Sequence, residues 1–321
     1  MRRRTLMAAA AALTVGGCGD QWSGPADLRI MVPNAPDSGY DLTARTVAQA
    51  LDAAGLVRDP EVFNLPGASG TVGLQRLVYE RGNGDLLMLM GLGVVGAQQT
   101  ERARATLGQT TPVARLIEEP ALVVVPQASR YRTFADLVAA WRADPRDTVA
   151  GGGSSPAGPD HLALMLTAKG IGIAPPRVRY ASFDGGGDLL AAVFRGDVAF
   201  GVSGLGETAD QVRSGQLRVL AVTSPAPVPA VDAPTLREAG ADVVFANWRG
   251  LVAPPGLDDR AQDTLHGTVE QLHGSHPWRD ALSRNGWTDA YLAGDAFGTF
   301  IAAETARVTA VLHDLGLPAA G

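Results

Sequence analysis

The 321-residue sequence contains a single cysteine, Cys18, and a single lysine, Lys169. One cysteine cannot form an internal disulfide bond, so the stability of the fold must come from its core. The 27 basic residues are outnumbered by 33 acidic ones, which gives a net charge of −6. Because no basic stripe stands out against this acidic background, the composition argues against nucleic-acid binding.

The sequence also lacks an apolar run long enough to span a bilayer. Its N-terminal run, residues 6–15, holds about ten residues, whereas a transmembrane helix needs about 20. Arginines at positions 2–4 precede this run and small residues lead from it to Cys18, which is typical of an export signal. The junction resembles the lipobox of bacterial lipoproteins, and the alternative is an ordinary signal peptide with a chance cysteine. We therefore expect a signal peptide at residues 1–18, a lipid on Cys18, a tether at residues 19–26, and a location on the outer face of the cell membrane or in the periplasm.

Short apolar runs alternate with helical patterns along most of the chain. This alternation predicts an α/β fold built from βαβ units with mostly parallel sheets. Strands are predicted at residues 28–32, 61–64, 86–90, 122–125, 148–150, 178–180, 198–202, 219–222 and 250–253. Helices are predicted at residues 42–54, 72–80, 134–142, 161–169, 188–194, 207–214, 234–239, 258–273, 277–285 and 294–315. Beyond residue 256 the pattern is helical to the end, as expected for a tail that packs across an earlier domain or braces two of them.

Glycine-rich loops follow most of the predicted strands. They occupy residues 33–41, 65–71, 91–96, 151–161, 182–187 and 203–207. Glycine lets a ligand approach the backbone closely, and each helix start offers N–H groups that lack an intrahelical partner. Because ligands of open α/β sheets bind beyond the carboxyl ends of the strands, these loops are expected to converge on one cleft.

Two motifs suggest enzymes, each with a plainer alternative. The run "GLGVVG" at residues 91–96 fits a dinucleotide-binding fingerprint, but small residues of this kind also serve close packing. Ser203 follows a predicted strand and, with His161, suggests a hydrolase, although "GVSGL" lacks the last glycine of a nucleophile elbow. His161 has the alternative role of bracing the helix that it begins.

Three histidines near the C-terminus, His266, His273 and His276, have a spacing that suits a metal ion. No nearby carboxylate completes a ligand set in the sequence, so a solvated helix face is the alternative. A phosphate-binding P-loop is excluded because its glycine-lysine pattern is missing and Lys169 lies inside a predicted helix. The sequence predicts no cofactor and no metal site.

A series of motifs in fixed order gives a more specific indication. It comprises "IMVPNAPDSGYDLTART", "NLPGASGTVGLQRL", "GLGVVGA", "ARLIEEP", "GGGSSPAGPDHL", "FDGGGDLLAAVFRGDVAFGVSGLGE", "LRVLAVTS", "DAPTLREAG", "NWRGLVAPPG" and "NGWTDAYLAGDAF". From residue 27 to the C-terminus, this series resembles the extracytoplasmic solute receptors of tripartite tricarboxylate transporters, also called the Bug family.

The resemblance implies a two-lobed, Venus-flytrap fold of the type II periplasmic-binding class, with the ligand held between the lobes. The first lobe is expected to comprise residues 27–123 and 226–321, and the second lobe residues 124–225. The apolar runs that end at Pro126 and Pro254 are then candidate crossovers between the lobes, with edge strands as the alternative.

The ligand of such a receptor is typically a small carboxylate, such as citrate or another tri- or dicarboxylate, held by loop backbone groups and ordered waters with few or no basic side chains. The resemblance implies a monomer without enzymatic activity that delivers its ligand to one large and one small membrane subunit. The alternatives are a ligand-sensing role with a membrane sensor kinase as partner, or a secreted serine hydrolase. The residues expected to contact the ligand are Asn34, Ser38, Gly39, Tyr40, Asp41, Ala68, Ser69, Gly70, Thr71, Ser154, Ser155, His161, Ser182, Phe183, Ser203 and Gly204.

The first loop departs from the family pattern. Where the family commonly has glycines, in a stretch resembling "PGGGYD", this chain has Asp37 and Ser38. A carboxylate at the mouth would repel an anionic ligand by about 4 kcal/mol at about 4 Å and an effective dielectric constant of about 20, unless it points to solvent or meets an arginine or another cation. Asp37 and Ser38 are therefore where the selectivity of this chain is expected to differ from that of its relatives.

Overall fold

The computed structural model describes residue 25 and residues 27–101, 103–229 and 231–316. The predicted signal peptide, Cys18 and nearly all of the predicted tether lie outside the described residues. Within the described ranges, no helix combines the length and the apolar character that are needed to cross a membrane.

Strands and helices alternate through the first two thirds of the described chain. The strands are β1 (Arg29–Val32), β2 (Glu61–Asn64), β3 (Leu86–Gly91), β4 (Thr111–Pro126), β5 (Ala150–Gly152), β6 (Tyr180–Ser182), β7 (Phe200–Gly204), β8 (Leu217–Val222), β9 (Ala246–Ala253) and β10 (Thr288–Ala293). The helices are α1 (Gly39–Ala53), α2 (Thr71–Tyr79), α3 (Leu92–Thr100), α4 (Phe134–Ala143), α5 (Pro159–Gly170), α6 (Gly186–Arg195), α7 (Leu205–Arg213), α8 (Asp259–Gly274), α9 (His276–Asn285) and α10 (Gly294–Asp314). Single 3₁₀ turns also occur, of which Ala68–Gly70 matters for the cavity described below.

The strands form one sheet in the order β2-β1-β3-β9-β4-β7-β5-β6, and β8 and β10 pair with β4 in addition. Strand β4 is 16 residues long and joins two groups of strands. Its residues 111–120 pair with β9, whereas residues 121–126 pair with β7 and β8. The first group therefore contains β1, β2, β3, β9 and β10, and the second contains β5, β6, β7 and β8.

The predicted parallel pairing holds only inside each group. Strand β1 is parallel to β2 and β3, and β5 is parallel to β6 and β7. All pairs that involve β4 or β9 are antiparallel. The prediction of mostly parallel sheets is thus wrong for the centre of the molecule, because hydrophobic patterning marks a strand without revealing the direction of its partner. Neither β4 nor β9 is an edge strand.

The sequence-based boundaries fail at four places. Residues 91–96, expected as a loop, end β3 and begin α3, and residues 234–239, expected as a helix, form a turn. There the N–H of Leu236 donates to the carbonyl of Val222 rather than to a carbonyl four residues earlier, as it would in an α-helix. Strand β4 begins eleven residues earlier than predicted and β10 interrupts the expected helical tail. These last two errors have one cause, since β10 pairs with the unpredicted half of β4 and each strand needs the other.

The core follows the sheet from one group into the other. All six residues of β3 are buried, and helices α1, α2 and α3 pack against it. Trp141 anchors α4 against Phe200 of β7, with the ring centroids 5.0 Å apart in an edge-to-face arrangement. Burial of such large apolar side chains is the main source of stability in a chain without disulfide bonds.

Candidate functional site

A cavity of about 380 Å³ lies where the two groups of strands meet. All six glycine-rich loops contribute to its lining, and β9 adds the side chains of Asn247 and Arg249. Several helices, among them α1, α5 and α6, begin at this cavity. Because the first N–H groups of a helix lack intrahelical partners, these helix starts offer hydrogen-bond donors and partial positive charge.

The structure brings most of the predicted contact residues to this cavity. Those in its lining are Asn34, Ser38, Gly39, Tyr40, Ala68, Ser69, Gly70, Ser154, Ser155 and Phe183. Those outside its lining are Asp41, Thr71, His161, Ser182, Ser203 and Gly204. Ligand contact by any of them stays a prediction.

The first loop is organised by Asp41 and Ser38. Ser38 is the N-cap of α1, and its hydroxyl accepts a hydrogen bond from the N–H of Asp41 at 3.3 Å. The Asp41 carboxylate accepts from Asn64 Nδ2 at 2.9 Å, from Arg45 Nε at 2.8 Å and from the N–H of Asp37 at 3.1 Å. Burial would raise the pKa of Asp41, but these hydrogen bonds hold it below its usual value. Asp41 therefore holds the loop in shape from outside the cavity lining.

The departure at Asp37 and Ser38 does not put a charge into the cavity. Asp37 is exposed, adopts a left-handed backbone with φ of 62°, and lines a separate groove beside Arg45. The hydrogen bond to Asp41 raises the pKa of Arg45, and the negative charge of Asp37 adds a smaller effect in the same direction. The repulsion considered from the sequence is relieved by solvent, because Asp37 is exposed and lies outside the cavity lining.

Tyr40 lies in the first turn of α1 and connects it to the first turn of α3. Its hydroxyl accepts a hydrogen bond from the N–H of Val94 in the first turn of α3 at 3.3 Å, and a phenol that accepts in this way still has its own proton to donate. Burial raises the pKa of Tyr40 to about 12, so the hydroxyl stays protonated. The side chain thus offers the cavity a neutral donor.

The loop after β2 makes a strained turn at the rim of the cavity. Ala68 and Ser69 have φ values of 43° and 54°, in the left-handed region that side chains disfavour. Gly67 and Gly70 flank them with φ values of 142° and 98°. A Cβ atom at Gly67 would lie 2.9 Å from the Val72 side chain, so glycine is required there by packing as well. Backbone strain at two consecutive residues, Ala68 and Ser69, is a feature that clusters at ligand-binding loops.

The second group of strands contributes the loop after β5. The Ser154 hydroxyl accepts from the N–H of Asp160 at 3.1 Å, and the Ser154 carbonyl accepts from the Tyr180 hydroxyl at 2.6 Å. His161 packs edge-to-face on Tyr180, and its Nδ1 accepts from the N–H of Ala157 at 3.2 Å. Burial lowers the pKa of His161 to about 4, so the ring is neutral and braces the loop.

Strand β9 supplies a charged group that sequence reasoning missed. Arg249 is 2% exposed, forms an ion pair with Glu119 of β4, and donates from Nη1 to the Thr43 hydroxyl at 2.9 Å. Among the described residues, none accepts a hydrogen bond from its Nε. Side chains alternate along a strand, so Asn247 and Arg249 face the cavity while Trp248 faces α10 and donates to Glu304 at 2.8 Å. The sequence did hold a signal for this group, namely an arginine within an apolar strand. A cation buried in such a strand needs a partner of opposite charge.

Two further carboxyl groups, Asp160 and Glu207, line the same end of the cavity. Glu207 accepts from the N–H of Gly186 and from the Ser203 hydroxyl, both at 3.2 Å. Burial raises the pKa of Asp160 well above its usual value, and the negative charges of Glu207 and Glu119 raise it further. Burial likewise raises the pKa of Glu207, against the favourable charge of Arg249. Both carboxyl groups therefore ionise less readily than an exposed carboxyl group.

The hydrolase pair suggested by the sequence does not form. Ser203 is fully buried and donates to Glu207, whereas Nδ1 of His161 is used by the N–H of Ala157. Neither Ser203 nor His161 lines the cavity. The packing alternative for residues 91–96 is supported, since a Cβ atom at Gly93 would lie 2.9 Å from the Tyr40 hydroxyl oxygen.

The three C-terminal histidines each contact a different group. His266 Nε2 lies 3.1 Å from the carbonyl oxygen of Pro112, and His273 Nε2 lies 2.8 Å from Asp289. His276 pairs with Asp280 on its own helix. Among the residues that the structure describes, no group of three or more histidine, cysteine, aspartate or glutamate side chains is arranged to hold a metal ion.

Comparison with known proteins identifies the family. The family model for TctC, the tripartite tricarboxylate transporter family receptor, matches residues 43–317. The chain belongs to this family. BugT of Bordetella pertussis is 25% identical to this TctC-family receptor over 297 residues, which cover 90% of this chain and 89% of BugT.

Solved structures establish the fold of this TctC-family receptor. The periplasmic binding protein BugD superimposes with a TM-score of 0.83 at 17% identity and covers 91% of this chain and 98% of its own. An R. palustris protein with adipate also gives a TM-score of 0.83, at 22% identity over 91% of this chain and 98% of its own. The receptor has the two-lobed α/β fold of type II periplasmic binding proteins, as the sequence motifs implied.

In this receptor the two strand groups touch each other around the cavity through glycines. A Cβ atom at Gly96 of α3 would overlap the carbonyl oxygen of Ala157 after β5. A Cβ atom at Gly185, before α6, would lie 3.2 Å from Cα of Ser38. Backbones approach this closely only where side chains are missing, so glycine at these positions lets the two strand groups meet beside the cavity.

Proposed function

We propose that this TctC-family receptor binds one small organic acid in the cavity between its strand groups and presents it to a membrane transporter. The observation that carries the proposal is the convergence of helix starts from both groups on one cavity. Helices α1 and α3 reach it from the first group, and α5, α6 and α7 reach it from the second.

Helix starts favour an anion for two reasons. Each carries about half a positive elementary charge from the aligned peptide dipoles, and each presents N–H groups without an intrahelical partner. Ser38, Tyr40 and Ser154 add hydroxyl groups to the same lining. A carboxylate held in this way touches both groups of strands at once, so its binding would favour the closed arrangement over an open one.

The ligand class is proposed from the family and from one structural neighbour. The family is named for tricarboxylate transport, and the R. palustris neighbour was solved with adipate, a dicarboxylate. A cavity of about 380 Å³ has room for an acid of this size. We therefore propose a di- or tricarboxylate of the citrate type as the starting ligand class for this chain.

The proposed setting follows from the N-terminal sequence. Lipidation of Cys18 would hold the receptor at the outer face of the membrane, within reach of one large and one small membrane subunit. Replacement of Cys18 by serine should abolish incorporation of labelled fatty acid and release the protein from membranes. Continued membrane association of the serine variant would contradict lipid anchoring without touching the proposal on ligand binding.

Ligand binding is tested by thermal unfolding of the purified receptor with a panel of acids that includes adipate and citrate. A ligand at 100 times its dissociation constant should add about 2.7 kcal/mol to the free energy of unfolding. The matched control is adipamide, which has the shape of adipate without its charges and should have no effect. If adipamide or sugars stabilise the protein while every acid fails, the proposal is wrong.

A further inference from the structure

Three carboxyl groups share a single cation at one end of the cavity. Arg249 pairs with Glu119, and among the described residues neither Asp160 nor Glu207 forms an ion pair. A Cβ atom at Gly39 would overlap Nη2 of Arg249 and lie 3.3 Å from the carboxyl carbon of Glu207, so these groups crowd the start of α1. Because Glu119 already balances the charge of Arg249, Asp160 and Glu207 face a bound acid without a cation of their own.

Hydrogen-bond acceptors also outnumber donors at this end. Asn247 lines the cavity and is 6% exposed, and no described residue donates to its Oδ1. It lies opposite Glu119 in the pairing of β9 with β4, on the same face as Arg249. Ionised carboxyl groups accept hydrogen bonds and donate none, and the same holds for a ligand carboxylate. A ligand carboxylate would therefore meet only acceptors from Asp160 and Glu207 unless those two side chains carry protons.

We infer that Asp160 and Glu207 bind the acid as neutral carboxylic acids that donate hydrogen bonds to its carboxylate oxygens. Binding then takes up a proton from solvent wherever the ligand-free receptor has one of the two ionised. A protonated carboxyl group is a donor, and its hydrogen bond to a carboxylate is charge-assisted. The proton forms an O–H bond on the receptor, and no other covalent bond forms or breaks. The inference rests on the proposed function and adds pH regulation to the same site.

Burial and neighbouring charge favour these protons. Burial raises the pKa of Asp160 well above its usual value and also raises that of Glu207, and the charge of Glu119 raises both further. Arg249 lowers both pKa values, but its charge is shared with Glu119. A bound carboxylate adds another negative charge beside the pair, which raises both pKa values again. The bound state therefore holds more protons than the free state, and affinity falls as pH rises.

The other titratable groups around the pair supply no free cation either. Tyr40, Tyr180 and His161 stay neutral, because burial raises the pKa of both tyrosines and lowers that of His161 to about 4. The charged groups at the rim of the cavity and in the groove beside Glu207 are Asp184, Asp37, Asp41 and Arg45. Carboxylates outnumber the single arginine in this set, and that arginine pairs with one of them.

The competing explanation is a cation bound together with the acid, either a metal ion or a charged group of the ligand. A cation needs the carboxyl groups ionised, so its binding becomes tighter as pH rises. The two explanations therefore predict pH trends of opposite sign.

The experiment is isothermal titration calorimetry of the full chain with adipate between about pH 6.5 and 9, a range in which a simple carboxylic acid is ionised. If adipate does not bind, the probe is the acid that stabilises the chain most in thermal unfolding. The dissociation constant should rise at least about tenfold across the range, with a limit of about tenfold per pH unit for one linked proton. Titrations at one pH in buffers with different heats of ionisation should show the proton uptake directly.

Variants locate the proton. Asp160→Asn and Glu207→Gln replace each acid by an amide of similar shape, whose N–H donates at every pH. The double variant should therefore lose the pH dependence and bind adipate about tenfold tighter than the wild type at about pH 9. The control Glu118→Gln should keep the wild-type trend, because Glu118 pairs with Arg115 away from the cavity.

The outcomes separate the inference from the proposed function. Tighter binding as pH rises, or the absence of proton uptake at every pH tested, would overturn the inference and leave the proposed function standing. Weaker binding by the double variant at every pH would do the same. The titrations of the wild type decide the question even where the double variant does not fold. Failure of every acid to bind would overturn both.

Discussion

The two sides of the cavity are built by different means. The loop wall, made of residues 34–40, 66–70 and 153–158, presents helix starts, glycines and hydroxyl groups. The strand wall, made of Asn247 and Arg249 with Glu119 behind them, presents charged and amide groups on two paired strands. The difference shows that one binding site can draw its donors from local chain geometry and its charges from contacts between distant segments.

The largest expected effect comes from breaking the strand wall. Replacement of Arg249 by methionine leaves Glu119 buried without its cation, which should lower the free energy of unfolding by about 3 to 5 kcal/mol in urea denaturation. The matched control is Arg237→Met, because Arg237 forms an exposed pair with Asp242 and its loss should cost about 1 kcal/mol or less. Equal losses in the two variants would contradict a structural role for the buried pair.

The next effect comes from the loop wall, where backbones approach each other closely. Replacement of Gly96 by alanine forces a methyl group against the Ala157 carbonyl and should destabilise the protein by about 1 to 3 kcal/mol. The control Gly187→Ala places its methyl group in open space on α6 and should be neutral or mildly stabilising. Thermal unfolding of both variants makes the comparison, and an unaffected Gly96 variant would mean that the two strand groups are not in contact.

A smaller effect tests the link between the helix starts of the loop wall. Tyr40→Phe removes the acceptor of the Val94 N–H at the start of α3, which should cost about 1 kcal/mol of unfolding free energy. Tyr79→Phe is the matched control, because Tyr79 is 76% exposed and should tolerate the change. A stable Tyr40→Phe protein would show that water replaces the phenol at α3.

The smallest expected effect is a pH dependence of stability. It distinguishes Glu207, which lines the cavity, from Glu304, which accepts a hydrogen bond from Trp248 behind the strand wall. Burial raises the pKa of Glu207, so the folded state keeps its proton longer and stability is lost as pH rises through the folded pKa. Relative to the wild type, the free energy of unfolding of Glu207→Gln should therefore increase as pH rises above about 4, the ordinary pKa of a glutamate. The comparison is read from urea denaturation at a series of pH values.

Glu304 supplies a control of opposite sign. Burial would raise its pKa, but hydrogen bonds from Arg307 and Trp248 hold it below the usual value. The stability that Glu304 contributes is thus present above the unfolded pKa and lost as pH falls through the folded one. As pH rises, the free energy of unfolding of Glu304→Gln should fall relative to that of the wild type. If the Glu207 and Glu304 variants changed in the same direction, the opposite directions of the two pKa shifts would be contradicted.

The loop wall was predictable from the sequence because its signals are local. Glycine, serine or asparagine stands within three residues of the end of β1, β2 and β5, and an N-cap such as Ser38 acts on a residue only three positions away. Some of the predicted contact residues lie outside the cavity lining because their side chains hold the loop itself. Asp41 and His161 belong to the right loops but turn their polar atoms to neighbouring backbone and side chains. Periodicity shows where a helix begins and gives no information on which polar atoms are already used.

The strand wall could not be predicted in the same way. Arg249 and Glu119 are 130 positions apart, and they meet only because β9 pairs antiparallel with β4. The unpredicted half of β4 and the missed strand β10 belong to the same set of long-range pairings. Strand direction and register depend on the partner strand, which a window of sequence does not contain.

The sequence by itself therefore determined the α/β alternation, the receptor family and the loops that surround the cavity, because each rests on neighbouring residues or on motifs in order. Tertiary structure alone decided the mixed sheet, the outward position of Asp37 and the acidic end of the cavity around Arg249. The physical reason is that burial and charge balance depend on groups that come together only when the chain has folded.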